Sequence, residues 1–197
     1  MREQKDWVLA SHNPGKIKEL QAVLAPCGIG LEGAGALGLD EPDETESSFD
    51  GNAALKAKAA WAATGRVCLA DDSGLSVDAL GGDPGVFSAR WAGEDRDFDL
   101  AMRRVHEALV AAGSDRTARF VCVIALCRRD GSVTHYRGEA EGEIVWPPRG
   151  QGGFGYDAIF QPAGESRSFA EMSAAEKQAL SHRGRALRAM MAAEFGR

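Results

Sequence analysis

Val67-Cys68-Leu69-Ala70-Asp71-Asp72-Ser73-Gly74 runs four apolar residues directly into two adjacent carboxylates. The apolar half reads as a short buried strand, which places the carboxylates at its end. Two carboxylates set against an apolar strand repel each other unless something positive is held beside them, so this junction is where chemistry is expected. Upstream, residues 48–64 are rich in alanine, carry Asn52, Lys56 and Lys58, and stop at Gly65, which predicts a helix with a glycine end. Further upstream, Trp7-Val8-Leu9-Ala10 predicts another buried strand. Asn13 is a good helix cap, Pro14 a good first helical residue, and Ile17, Leu20, Val23 and Leu24 follow at helical spacing.

Downstream, Phe98, Met102, Val105 and Leu109 mark one face of a helix from Asp97 to Ala112. Phe120 to Cys127 is apolar without alternation, as a central strand covered on both sides should be. Asp130-Gly131 turns it into the more polar run Val133 to Glu143. Strands alternating with helices give an α/β protein with a mixed, twisted sheet flanked by helices. Ser173-Ala174-Ala175-Glu176 fits a capping box, so a helix starts there. On one uninterrupted helix His182 and Arg183 would point about 140° and 240° away from Lys177. Ser181 can cap a second helix, and the break would let Lys177, His182 and Arg183 face one site.

With 197 residues, 44% of them hydrophobic, the chain is long enough for one domain with a sizeable core, in two lobes whose boundary composition does not mark. A formal net charge of −6 argues against nucleic acid as the main partner. No stretch approaches the roughly 20 apolar residues that span a bilayer, and Met1 to Ala10 lacks the pattern of an export signal, so no membrane and a cytoplasmic location are expected. Cys27, Cys68, Cys122 and Cys127 form no C-x-x-C pair, and reduced, structural thiols are expected.

Four constellations can carry chemistry. The first is the helix start Ser11-His12-Asn13-Pro14-Gly15-Lys16, where free backbone N–H groups, the helix dipole and the Lys16 ammonium favour an anion. It is not a Walker loop. The second is acidic: Asp40, Glu41, Asp43, Glu44 and Glu46, together with Asp71 and Asp72. Asp72 with Glu44 or Asp43 suits Mg²⁺, a hard cation that takes oxygen ligands. The third is Gly150 to Asp157, four glycines around Phe154 and Tyr156, where backbone can approach a ligand and an aromatic ring can stack on a base. The fourth is the cationic set Lys177, His182 and Arg183.

Together these segments resemble the inosine triphosphate pyrophosphatase family, the non-canonical purine nucleotide pyrophosphatases. The resemblance rests on SHNPGK at 11–16, FDGNAALKA at 49–57, LADDSGLSVDALGG at 69–82, PGVFSARWAG at 84–93, GGFGYD at 152–157 and AEMSAAEKQALSHRGRAL at 170–187. It implies an elongated, two-lobed α/β domain with a central nucleotide cleft, a homodimer, and Mg²⁺-dependent hydrolysis of inosine, deoxyinosine and xanthosine triphosphates to the monophosphate and pyrophosphate. It implies Asp72 as the acid-base and metal-linked residue, with Lys16 beside it in catalysis. Ser11, His12, Asn13, Pro14, Gly15 and Lys16 are implied to hold the triphosphate. Ser73, Phe154, Gly155, Tyr156, Asp157, Lys177, His182 and Arg183 are implied as further substrate contacts, and Glu44 or Asp43 as a second metal ligand. Two positions depart from the family pattern: Ala158 replaces a proline, and Gly51 stands where glutamate often precedes the asparagine.

Overall fold

The computed structural model describes residues 5–196. Six strands form one mixed sheet in the order β2-β1-β3-β4-β5-β6: β1 (Lys5–Leu9), β2 (Ile29–Gly33), β3 (Cys68–Val77), β4 (Thr117–Cys127), β5 (Val133–Ile144) and β6 (Phe160–Pro162). The helices are α1 (Pro14–Leu24), α2 (Phe49–Thr64), α3 (Phe98–Ala112), α4 (Ala174–Leu180) and α5 (His182–Phe195). β1 runs parallel to β2, with Trp7 opposite Leu31, and parallel to β3, with Leu9 opposite Leu69. β5 and β6 are antiparallel.

The chain divides into two compact units. The first gathers the residues up to Asp72, Val123–Tyr136 and the chain from Met190; the second gathers Ser73–Cys122 and Arg137–Ala189. In the first unit Leu20 and Leu24 of α1 and Ala53, Ala57 and Ala60 of α2 are buried, and α1 packs on β2. In the second, Met102, Val105 and Leu109 of α3 are buried with Leu75, Val77, Phe120, Phe160 and Phe169.

The caps expected at Asn13, Ser173 and Ser181 are present, and Ser48 and Asp97 cap two more helices. Asn13 Oδ1 accepts the N–H groups of Gly15 and Lys16, Ser48 Oγ that of Gly51, and Asp97 Oδ1 that of Leu100. Ser173 and Glu176 close a capping box ahead of α4. Ser181 leaves helical backbone (φ −68, ψ 154), and its Oγ accepts from Gly184 N, so α5 starts afresh at His182. A Cβ on Gly184 would lie 2.1 Å from the carbonyl oxygen of Gln178, which is why the second helix can begin so close to the first.

The sequence reading ends the strand at Ala70, whereas β3 continues through Asp71 to Gly74 as far as Val77. The strand goes on because Leu75 and Val77 have a core to enter and because each carboxylate finds its own cation. Cys122 and Cys127 are both buried on β4, as a strand covered on both faces allows, and all four cysteines are free thiols. Among the described residues no helix is long and apolar enough to cross a membrane.

Candidate active site

The parallel pairing of β3 with β1 includes Leu9 opposite Leu69, and two residues further along β3 come Asp71 and Asp72. The loop that leaves the end of β1 is Ala10 to Asn13. Both segments therefore follow the stretch where β1 and β3 pair in parallel, Ala10 to Asn13 beyond the end of β1 and the two carboxylates within β3. Successive strand residues project to opposite faces, and the two carboxylates have different partners. Both oxygens of Asp71 accept from Lys16 Nζ, at 2.8 and 2.9 Å. Asp72 faces α2: its Oδ1 is 3.7 Å from Lys56 Nζ, and its Oδ2 accepts from Asn52 Nδ2 at 3.2 Å. The positive charge that the acidic pair requires is thus supplied from within the chain, one lysine to each.

Lys56 Nζ also donates to Glu44 Oε1 at 2.5 Å. The structure brings Glu44 to this centre, and Asp43 beside it is exposed. Asp72 is only 6% exposed. Burial is the largest cause that lifts its carboxyl from 3.8 to about 6; Lys56 opposes the rise, Glu44 adds to it, the Asn52 amide opposes it, and Asp71 adds to it. Burial would lower the Lys56 ammonium, but Asp72, Glu44 and Asp71 together hold it above its ordinary value. A carboxylate that titrates near neutrality can take a proton from water and return it.

The donor set also fits a hard divalent cation. Asp72 and Glu44 turn carboxylate oxygens toward one cation, the Lys56 ammonium. Among the described residues no group of three or more His, Cys, Asp or Glu side chains forms a complete cage. One or two carboxylates, completed by waters and substrate phosphates, is the pattern Mg²⁺ uses.

The helix start at 11–16 differs from the sequence reading in one respect. The amides of Gly15 and Lys16 are not free for an anion, because Asn13 Oδ1 already accepts both, and Asn13 N donates to Ser11 Oγ. Attraction for an anion there rests on Lys16 and the helix dipole. Ser11 is buried, while His12, Asn13, Pro14 and Gly15 are exposed. His12 and Lys56 line a cavity of ≈ 390 Å³, together with Asp40, Glu41 and the alanines 59, 60 and 63 of α2, whose small side chains leave it open.

The second unit carries the other predicted residues. Gly150, Gly153 and Gly155 all have positive φ, and a Cβ on Gly153 would meet Asp157 Oδ2 at 2.1 Å. That oxygen accepts from Phe154 N at 2.7 Å and from Lys177 Nζ. The carboxylate of Asp157 thereby folds the loop and fixes the lysine. Lys177 Nζ stands 4.3 Å from the Phe154 ring centroid and Arg183 Cζ 6.0 Å from it, and the ring is 67% exposed. His182 stacks on Phe120 with centroids 4.8 Å apart, and both it and Arg183 are buried. Gly138 of β5 lets α5 lie against the strand: a Cβ there would be 2.2 Å from the carbonyl oxygen of His182. Lys177, Phe154, Asp157 and Arg183 therefore form one aromatic–cation platform.

Tyr156 has a different setting. It is buried edge-on to Phe98, and its hydroxyl donates to the Ser88 carbonyl at 2.8 Å. Burial raises its pKa. Ser73 follows Asp72 on β3 and is half-buried.

Sequence reasoning did not assign Asn52, Lys56 or Phe120 to the site. A signal for the first two was present. Phe49, Asn52, Ala53, Lys56, Ala57 and Ala60 occupy the buried stripe of α2, and two strongly polar residues on such a stripe need partners.

Fold and side chains together define a mixed-sheet α/β protein that pairs lysines with buried carboxylates on β3 and carries an aromatic–cation platform. The chain belongs to the Ham1 family, whose model matches residues 7–193. It is 50% identical over 188 residues to a dITP/XTP pyrophosphatase of Zymomonas mobilis, covering 94% of this chain and 90% of that one. It is 53% identical over 184 residues to a dITP/XTP pyrophosphatase of Gluconobacter oxydans, covering 93% and 88%. A solved HAM1 protein from Coxiella burnetii superposes with a TM-score of 0.93 at 42% identity, covering 98% of this chain and 99% of that one.

Proposed function

We propose that this chain hydrolyses non-canonical purine nucleoside triphosphates (ITP, dITP and XTP) to the monophosphate and pyrophosphate, with Mg²⁺ as cofactor. The observation that carries the reading is the buried Asp72, lifted to about 6 and held between Asn52 and Lys56 beside Glu44. The names of the relatives at about half identity agree with it.

In this mechanism Asp72 orients a water and takes its proton as the water attacks the α-phosphorus. Lys16 and Lys56 draw the phosphate chain in and balance negative charge as pyrophosphate departs. Asp72 and Glu44 would hold Mg²⁺, which supplies charge neutralisation at the phosphates. Phe154 stacks on the base while Lys177, ion-paired to Asp157, stays over the Phe154 ring. His182 and Arg183 present donors to a 6-oxo group, and the 6-amino group of adenine brings donors against donors. An unpaired buried polar group costs about 1–3 kcal/mol, which corresponds to roughly 5- to 150-fold discrimination against adenine.

The whole chain acts as one pyrophosphatase domain, working in the cytoplasm as a homodimer that removes deaminated purines from the nucleotide pool. Sedimentation velocity tests the dimer; a monomer at micromolar concentration removes it.

The deciding assay is pyrophosphate release from a panel of triphosphates, with Mg²⁺ and then with a chelator. Metal-dependent turnover of ITP, dITP or XTP well above ATP and GTP is expected. Binding without turnover would make the chain a nucleotide sensor, and a preference for modified pyrimidines would overturn the base reading.

A further inference from the structure

We infer that Asn52 is a positioning residue that ties the acidic loop and the carboxylate of Asp72 to one point on α2, so that the base and Glu44 are set at a fixed separation; this rests on the reading of Asp72 as the base. Asn52 is 1% exposed. Its Oδ1 accepts from the backbone N–H of Glu46 at 3.0 Å, and its Nδ2 donates to Asp72 Oδ2 at 3.2 Å. The two ends of the amide act in opposite senses. Among side chains of this length only asparagine has both a carbonyl acceptor and an NH₂ donor: aspartate keeps the acceptor and loses the donor, and alanine loses both.

Lys56 stands one turn further along the same face of α2 and repeats the pattern in charge, meeting Asp72 through Oδ1 and the acidic loop through Glu44. The carboxylate of Asp72 therefore has one oxygen fixed by the Asn52 amide and the other facing the Lys56 ammonium. The loop is held at Glu44 by its side chain and at Glu46 by its backbone. The tether has no slack, because the loop passes directly over the first turn of α2. A Cβ on Gly51 would lie 2.7 Å from Glu46 Cβ and 3.0 Å from Ser48 Oγ.

The bonds of Asn52 touch no reacting atom of the substrate. Its effect passes through Asp72 and the loop, so it should appear in turnover before affinity.

The test uses the full chain with Asn52→Asp, Asn52→Ala and Asp72→Asn as the reference. It reads kcat and KM for ITP and the hydrogen exchange of the Glu46 amide. In Asn52→Asp the Glu46 amide stays protected, and kcat falls by on the order of tenfold or more at nearly unchanged KM. In Asn52→Ala kcat also falls, and the Glu46 amide exchanges about fivefold faster or more. An Asn52→Asp enzyme with wild-type kcat overturns the inference, as does one that loses only KM or an Asn52→Ala protein whose Glu46 amide exchanges as in wild type. The exchange measurement needs no turnover, so it decides the tether even if the aspartate variant does not fold. Asp72→Asn separates the two ideas: full turnover there removes Asp72 as the base, whereas a dead Asp72→Asn beside a normal Asn52→Asp removes only the positioning role.

Discussion

Asp72→Asn removes a buried charge whose ionisation the fold resists. Burial, reinforced by Glu44 and Asp71 and opposed by Lys56 and Asn52, raises the carboxyl from 3.8 to about 6. A group that holds its proton more tightly folded than unfolded stabilises the fold while it is protonated. That stabilisation is fully present below 3.8 and is lost as pH rises through about 6. At about 1.36 kcal/mol per unit, the rise corresponds to ~3 kcal/mol. Asparagine imitates the protonated carboxyl in size and neutrality, so the variant keeps above pH 6 what the wild type has lost. Urea unfolding of the metal-free proteins measures the difference. At about pH 8 the variant should be more stable by ~2–3 kcal/mol, and the gap should nearly close by about pH 4, while pyrophosphate release is abolished throughout. A variant no more stable than wild type at the higher pH, or equally favoured at both, refutes the claim that the site strains against its own charge.

Lys56→Met removes the cation that opposes the rise of Asp72. The acid limb of the kcat/KM profile should move to higher pH, and turnover at neutral pH should fall by on the order of tenfold or more; an unmoved limb would show that the lysine does not act on the base. Tyr156→Phe takes away the hydroxyl that donates to the Ser88 carbonyl. It should cost about 1–2 kcal/mol in a urea melt and raise KM for the base more than it lowers kcat. Gly138→Ala places a methyl 2.2 Å from the carbonyl oxygen of His182. Calorimetry should show a loss of about 1–3 kcal/mol or more as α5 is pushed off β5, and selectivity for ITP over ATP should fall with it.

The helix ends are plain in the sequence because caps act locally. Asn13, Ser48, Asp97, Ser173 and Ser181 each bond to amides within three residues, so their effect can be read in a short window. The break before His182 is legible for the same reason, and with it the approach of Arg183 to the ring that Lys177 covers. The extent of β3 is not legible. Asp71 and Asp72 look like a strand's end until Lys16, 55 residues earlier, and Lys56 are seen to neutralise them within it. Asn52 and Lys56 stand on an alanine-rich helix at the spacing of one face, a signal that they need partners, but only tertiary packing shows that those partners are Asp72, Glu44 and the Glu46 amide. The stacking of His182 on Phe120 joins residues on a helix and a strand far apart in the chain, and no spacing rule reaches that far.

The ion pair between Lys16 and Asp71 gives the anion site a resident occupant. A phosphate that takes Lys16 takes it from a carboxylate bonded through both oxygens. Binding is therefore an exchange of one counter-ion for another, and the displaced one stays on β3 and repels the newcomer. Chloride or acetate, with a single charge to offer, gains little from such an exchange. Under the proposed function a polyphosphate brings more negative charge to Lys16 than either of these, and so completes the exchange more readily. On that reading, the Lys16–Asp71 pair sets a threshold of charge that an anion must exceed to take the lysine.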